Sequence, residues 1–145
     1  MRDLPRQLSV EELAELFEGH TRFVDRLALV EDPLDHARVV ASTLTDVEKK
    51  EVLDAHPAIG AKATSERSRR EQGTDDDPAV LAELARLNAE YEERFGFRFV
   101  VFVNGRPRRE IVPVLRERMT RTREEELQTA VGELLQKSIN RWRTT

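Results

Sequence analysis

A histidine, a serine, a glutamate and a glutamine stand in readable order near the middle of this 145-residue chain: His56-Pro57-Ala58-Ile59-Gly60, then Ser68, then Glu71-Gln72. An imidazole titrates near neutrality and can give or take a proton, and a carboxylate within reach can orient and charge it. The residue before a proline is restricted to extended conformations, so the helical pattern of 45–55 stops at His56, and the ring is expected at a helix exit. The helix dipole at such an exit favours the protonated ring. A histidine in that place serves equally well as a helix cap or as the filler of a surface groove. His20 and His36 lie in charged helical surroundings without comparable company and read as surface residues.

Ser68, Glu71 and Gln72 fall at i, i+3 and i+4, which on a helix puts hydroxyl, carboxylate and amide on one face suited to a small polar molecule. Ser68-Arg69-Arg70-Glu71 also fits a capping box, but Gly73 follows so closely that a helix starting earlier, near Ser65, is the better reading. On the final helix Leu127, Val131, Leu134 and Ser138 form one stripe, and at ~100° per residue Arg141 lies about 40° from its centre line. A cation pointing partly inward needs an anion. An ion-pair partner within the chain, the dipole of the helix end or a bound substrate would each supply negative charge.

Most of the elements that must position these groups are helices. Ser9-Val10-Glu11-Glu12, Thr45-Asp46-Val47-Glu48 and Thr122-Arg123-Glu124-Glu125 match capping boxes, and Asp77-Pro78 combines an N-cap with proline at the first helical position. The helix opened by Asp77 is expected to reach about Phe95, with shorter helices over 21–29, 34–44 and 109–119. The exception is the apolar run 97–103, which alternates like a strand and ends at the turn signal Asn104-Gly105. Pro107 spoils a returning strand and no other segment is a plausible partner. The expectation is an all-α, single-domain helical bundle of about seven to eight helices over residues 1–145, with 97–103 extended through its core. The backbone of that segment must find helix ends, side chains, water or a ligand. Gly73-Thr74-Asp75-Asp76-Asp77 reads as an acidic loop.

Composition narrows the chemistry. The chain is 39% hydrophobic, long enough for one core. With no cysteine there is no disulfide, thiol nucleophile or cysteine-based metal site, and no H-E-x-x-H spacing, glycine-rich phosphate loop or G-x-S-x-G elbow occurs. We therefore expect no metal. No apolar run is long enough for a membrane span and the N-terminus lacks the apolar core of a signal peptide, which suggests a soluble, cytoplasmic protein. The net charge is −4. The acidic surplus lies in the first 60 residues, while Arg106, Arg108, Arg109, Arg116, Arg118, Arg121 and Arg123 form a basic patch that either covers a solvated helix face or meets phosphates. An acidic whole argues against nucleic acid as a partner.

Taken together, His56-Pro57-Ala58-Ile59-Gly60, Ser68-x-x-Glu71-Gln72 and Leu87-Asn88-x-x-Tyr91-x-x-x-Phe95-Gly96-Phe97-x-Phe99-Val100-Val101 resemble the 2-oxo-4-hydroxy-4-carboxy-5-ureidoimidazoline (OHCU) decarboxylase family of urate degradation. Phe23-Val24-Asp25-Arg26-Leu27 looks like the family's second helix and the segment from Glu124 through Glu133 to Arg141 like its last, so the likeness covers nearly the whole chain. The resemblance implies an all-helical, cofactor-free homodimer that converts OHCU to (S)-allantoin. It implies that His56 is the acid–base residue, that Glu71 orients and charges it, that Ser68, Gln72 and Arg141 bind polar edges of the substrate and that Pro57 shapes the pocket. The backbone of Phe99, Val100, Val101 and Phe102 would then exchange hydrogen bonds with the planar ring. The chain departs from the family pattern at Phe17-Glu18-Gly19-His20, which replaces a smaller, less charged turn, and at Trp142, which replaces an aliphatic residue.

Two alternatives stand beside this reading. A divergent relative would act on another hydantoin-like ring. A non-catalytic helical module would use the Arg106 to Arg123 patch to bind an acidic partner, with salt-sensitive binding and indifference to His56.

Overall fold

The computed structural model describes residues 2–57 and 77–144. Among the described residues there are seven helices and no strand: α1 Val10–Leu16, α2 Arg22–Leu27, α3 Ala37–Ser42, α4 Asp46–Asp54, α5 Pro78–Phe95, α6 Arg108–Arg118 and α7 Arg123–Arg143. Their starts follow the local chemistry. Ser9, Thr45 and Thr122 close complete capping boxes with Glu12, Glu48 and Glu125, and Asp77 accepts from the amide of Ala79 just ahead of Pro78. Each such cap stabilises a helix start by about 1 kcal/mol. α5 ends at Gly96, whose φ of 81° is the left-handed conformation that terminates a helix cheaply only in glycine.

The bundle forms around α7. Leu127, Ala130, Val131, Leu134 and Leu135 bury one face of that helix, which packs against α1, α3 and α4, while α5 and α6 pack on each other. Phe17 and Phe23 meet edge to face at 5.2 Å, and Tyr91 gathers Phe95, Phe97 and Phe99 around its ring at 4.7 to 5.9 Å.

Residues 97–103 run through this core as expected. Phe97, Phe99, Val100, Val101 and Val103 are buried, and among the described residues no backbone–backbone hydrogen bond reaches 97–102. Side chains take the place of a neighbouring strand. Asp54 Oδ1 accepts from the Arg98 amide at 3.0 Å, Glu133 Oε1 from the Phe102 amide at 3.5 Å, and Arg118 Nη1 and Arg106 Nη2 donate to the carbonyls of Val100 and Phe102 at 2.7 and 2.8 Å. Asn104 and Gly105 then turn the chain with φ of 51° and 76°, and α6 begins after Pro107 rather than a second strand.

The basic patch is not one solvated face. Arg118 is buried, with its Nε on Glu126 Oε1, and the Tyr91 hydroxyl donates to the same carboxylate at 2.6 Å. Arg106 is committed to backbone carbonyls, Arg116 to Glu83, Arg121 to Glu117 and Arg123 to Asp46. Four of the seven arginines, Arg116, Arg118, Arg121 and Arg123, are thus paired with carboxylates. No described helix is long and apolar enough to cross a membrane.

Candidate active site

α4 delivers His56. The chain tightens after Asp54, with the His56 amide donating to the Leu53 carbonyl at 3.2 Å, and Pro57 prevents another turn. The ring does not sit on the surface: His56 is 1% exposed, and neither ring nitrogen has a hydrogen-bond partner among the described residues. Burial pushes its pKa well below the ordinary imidazole value, and the charges of Lys137, Arg141 and Arg98 push the same way. The expectation that the helix dipole keeps the ring protonated is therefore overturned, because losing water and standing among cations outweighs a partial charge at a helix end. Burial and the neighbouring cations thus favour the neutral form of the ring.

Arg98 holds the backbone that carries it. Its Nη1 donates to the His56 carbonyl and, at 3.4 Å, to that of Asp54, while its Nε pairs with Glu92 at 3.0 Å. One side chain thus ties the exit of α4 to the extended segment and to the end of α5. The second side of the site is α7, where Lys137 and Arg141 are both buried and stand one turn apart. Arg141 is anchored from within the chain: its Nη1 lies 2.8 Å from Glu18 Oε1 and 2.9 Å from the Leu16 carbonyl. Of the three sources of negative charge expected for Arg141, the structure supplies the ion-pair partner.

Of the residues singled out in the sequence, His56 and Arg141 are brought into one electrostatic neighbourhood. Pro57 is half-buried beside His56, Phe99, Val100 and Val101 are buried, and Phe102 is half-buried in the crossing segment. Ser68, Glu71 and Gln72 lie outside the described residues, as does most of the acidic loop. His20 and His36 are exposed. Sequence reasoning missed Arg98, Lys137 and Glu18. The available signals were the charge of Arg98 inside an otherwise apolar run, the spacing of Lys137 from Arg141, and the unusually charged turn at Glu18. A groove of about 540 Å³ between α3, α4 and α7, lined by Arg38, Asp46, Lys49, Arg123 and Leu127 among others, does not include His56.

The chain is 27% identical over 146 residues to the uric acid degradation bifunctional protein PucL of Bacillus subtilis, covering 92% of this chain and 29% of that protein. It is 31% identical over 125 residues to 2-oxo-4-hydroxy-4-carboxy-5-ureidoimidazoline decarboxylase of Mus musculus, covering 80% of this chain and 69% of the mouse protein. A crystal structure of OHCU decarboxylase in the presence of (S)-allantoin superposes with a TM-score of 0.78 at 25% identity, over 94% of this chain and 97% of that one. An (S)-allantoin synthase at 19% identity and a TM-score of 0.64 shares the fold, over 94% of this chain and 54% of its own. The chain spans less than a third of the bifunctional Bacillus protein. The OHCU decarboxylase family model matches residues 2–145, and the chain belongs to that family.

Proposed function

We propose that the protein decarboxylates OHCU to (S)-allantoin in urate degradation, without a cofactor. The observation that carries this reading is the buried, neutral His56 surrounded by the charges of Lys137, Arg141 and Arg98, in a chain of this family. A neutral imidazole accepts a proton, and a positive field draws in a carboxylate substrate.

In the proposed reaction the bond between the carboxylate and the hydroxyl-bearing ring carbon breaks. Its electron pair forms a double bond to the ureido-bearing carbon, and the electrons of the adjacent imine move to nitrogen, which takes a proton. Carbon dioxide leaves, and an enol remains. His56 removes the enol hydroxyl proton as the carbonyl forms, and a proton is delivered to the ureido-bearing carbon to give allantoin. The ring's own imine accepts the electrons, so the protein's part is position and proton transfer. In the same proposal Glu71 orients His56 and stabilises the charged form it takes on accepting the proton, Ser68, Gln72 and Arg141 hold polar edges of the ring, Pro57 shapes the wall, and the backbone of Phe99 to Phe102 lies against the ring plane. A homodimer acting in the cytoplasm completes it, on the family resemblance.

Freshly generated OHCU followed with and without protein tests the proposal. Disappearance faster than the spontaneous loss, abolished in His56→Asn, is the expected result. A rate that His56→Asn leaves unchanged would remove the assigned chemistry. A protein acting on another hydantoin-like ring would leave OHCU at its spontaneous rate.

A further inference from the structure

The exit of α4 and the crossing segment are joined in both directions by Asp54 and Arg98. The Asp54 side chain reaches the main chain of Arg98, its Oδ1 accepting from the amide at 3.0 Å. The Arg98 side chain reaches back to the main chain of the helix exit, its Nη1 donating to the His56 carbonyl and, at 3.4 Å, to that of Asp54. Each residue therefore fixes the backbone of the other. Glu92 on α5 aims the guanidinium by accepting from its Nε at 3.0 Å, and Lys50, one turn back on α4, pairs with the second oxygen of Asp54. Carbonyls at a helix end have no partner within the helix, and a planar guanidinium with forked donors can serve two of them and a carboxylate together, which an ammonium cannot do. The placement of this link gives it a consequence beyond stability. One end is the residue that bears the imidazole, and the other directly precedes Phe99, where the backbone assigned to the substrate ring begins.

We propose that Arg98 is a positioning residue of the reaction: through its two-way link with Asp54 it fixes the separation between the His56 ring and the crossing segment, and turnover depends on that separation. The proposal rests on the reading of His56 as the proton-transfer group of a ring decarboxylase and adds the residue that holds it in register. Arg98 acts through His56 and not on the substrate. Loosening the link leaves the ring substrate bound but spends more of its time out of line with the imidazole, so kcat falls while KM is spared. A residue that merely supports the fold would lower the yield or the unfolding midpoint and leave the turnover of each folded molecule unchanged.

The test uses Arg98→Lys, which keeps the charge and loses the fork, and Arg98→Ala, each checked for native helical circular dichroism. Rates are read at about pH 8, where an imidazole is neutral with or without the neighbouring charge. With OHCU, kcat should fall about ten- to a hundredfold in both variants, the range expected for a misplacement on the order of 1 Å, while KM stays within about threefold. Arg98→Ala leaves room beside a cavity of about 280 Å³ that Asp54 and Glu92 help to line. Guanidinium chloride at about 50 mM, far below denaturing concentrations, should therefore restore part of the lost kcat of Arg98→Ala, and equal sodium chloride should not. A measurement without substrate separates this claim from the activity. The His56 ring resonance, assigned in NMR spectra by its loss in His56→Asn, should be single in wild type, broadened or doubled in Arg98→Ala, and sharpened again by guanidinium. If wild type leaves OHCU at its spontaneous rate yet the resonance responds in this way, the decarboxylase reading falls and the positioning role stands. Wild-type kcat in Arg98→Lys, a loss confined to KM, no rescue by guanidinium, or an unchanged His56 resonance in Arg98→Ala would overturn it, and Arg98→Lys decides alone if Arg98→Ala does not fold.

Discussion

Arg141 on the last helix and Glu18 in the turn after the first form a buried ion pair, Nη1 to Oε1 at 2.8 Å, that closes the bundle across nearly the full length of the sequence. Glu18 adopts φ of 65°, a left-handed conformation that is unfavourable for a residue with a side chain and persists where surrounding contacts hold it. Breaking such a pair strands a buried charge. Glu18→Ala should therefore cost about 3–5 kcal/mol in urea unfolding, and Glu18→Ala with Arg141→Ala should cost less than the two single changes together. Additive losses would mean that the contact contributes nothing.

His56 should make stability depend on pH in a defined sense. Its folded pKa lies below the ordinary value of about 6.5, so the unfolded chain binds the extra proton more readily. The related stability is fully present above about pH 6.5 and is lost as pH falls toward the depressed folded value. Thermal unfolding of wild type should fall more steeply between pH 7 and 5 than that of His56→Asn. Parallel curves would place the folded pKa of His56 at its unfolded value. The acid limb of kcat/KM, which reports the free enzyme, should likewise lie below about 6.5.

Asparagine is the uncharged polar replacement nearest in kind to the buried imidazole of His56, and the substitution should cost little stability. His56→Asn should unfold within about 1 kcal/mol of wild type while losing turnover. A large destabilisation would assign the ring a structural role.

The Tyr91 hydroxyl is held protonated, mainly by burial and then by its bond to Glu126, and it helps fix the carboxylate that orients Arg118 beneath the Val100 carbonyl. Tyr91→Phe should destabilise by about 1–3 kcal/mol, read as a shift in the urea midpoint. No shift would show that the Glu126 carboxylate is satisfied without it.

The frame of this molecule was legible where the information is local. Three capping boxes, Asp77-Pro78, Gly96 and Asn104-Gly105 each place an element boundary through a few neighbouring atoms, and the lack of a partner for 97–103 foretold a segment held by side chains. Depth and partnership were not legible. Proline fixes the backbone at His56 but says nothing about the helices that cover it, and a string of arginines does not reveal that Arg118 turns inward to Glu126 while Arg116 stays outside with Glu83. Glu18 and Lys137 acquire their meaning only when distant turns are packed together, and the same packing reverses the expected charge preference of His56.

Handedness of the product tests the central claim most directly, because free OHCU loses carbon dioxide unaided and acceleration alone would not show that the site holds the ring. The reaction should be run in deuterated water, with the optical activity of the allantoin followed and deuterium located by NMR. We expect predominantly (S)-allantoin carrying one deuteron at the ureido-bearing carbon, since a ring fixed between α7, the His56 exit and the crossing segment exposes one face to the proton donor. Racemic allantoin formed at a protein-dependent rate would contradict the account, because protonation would then occur on an enol already released to water.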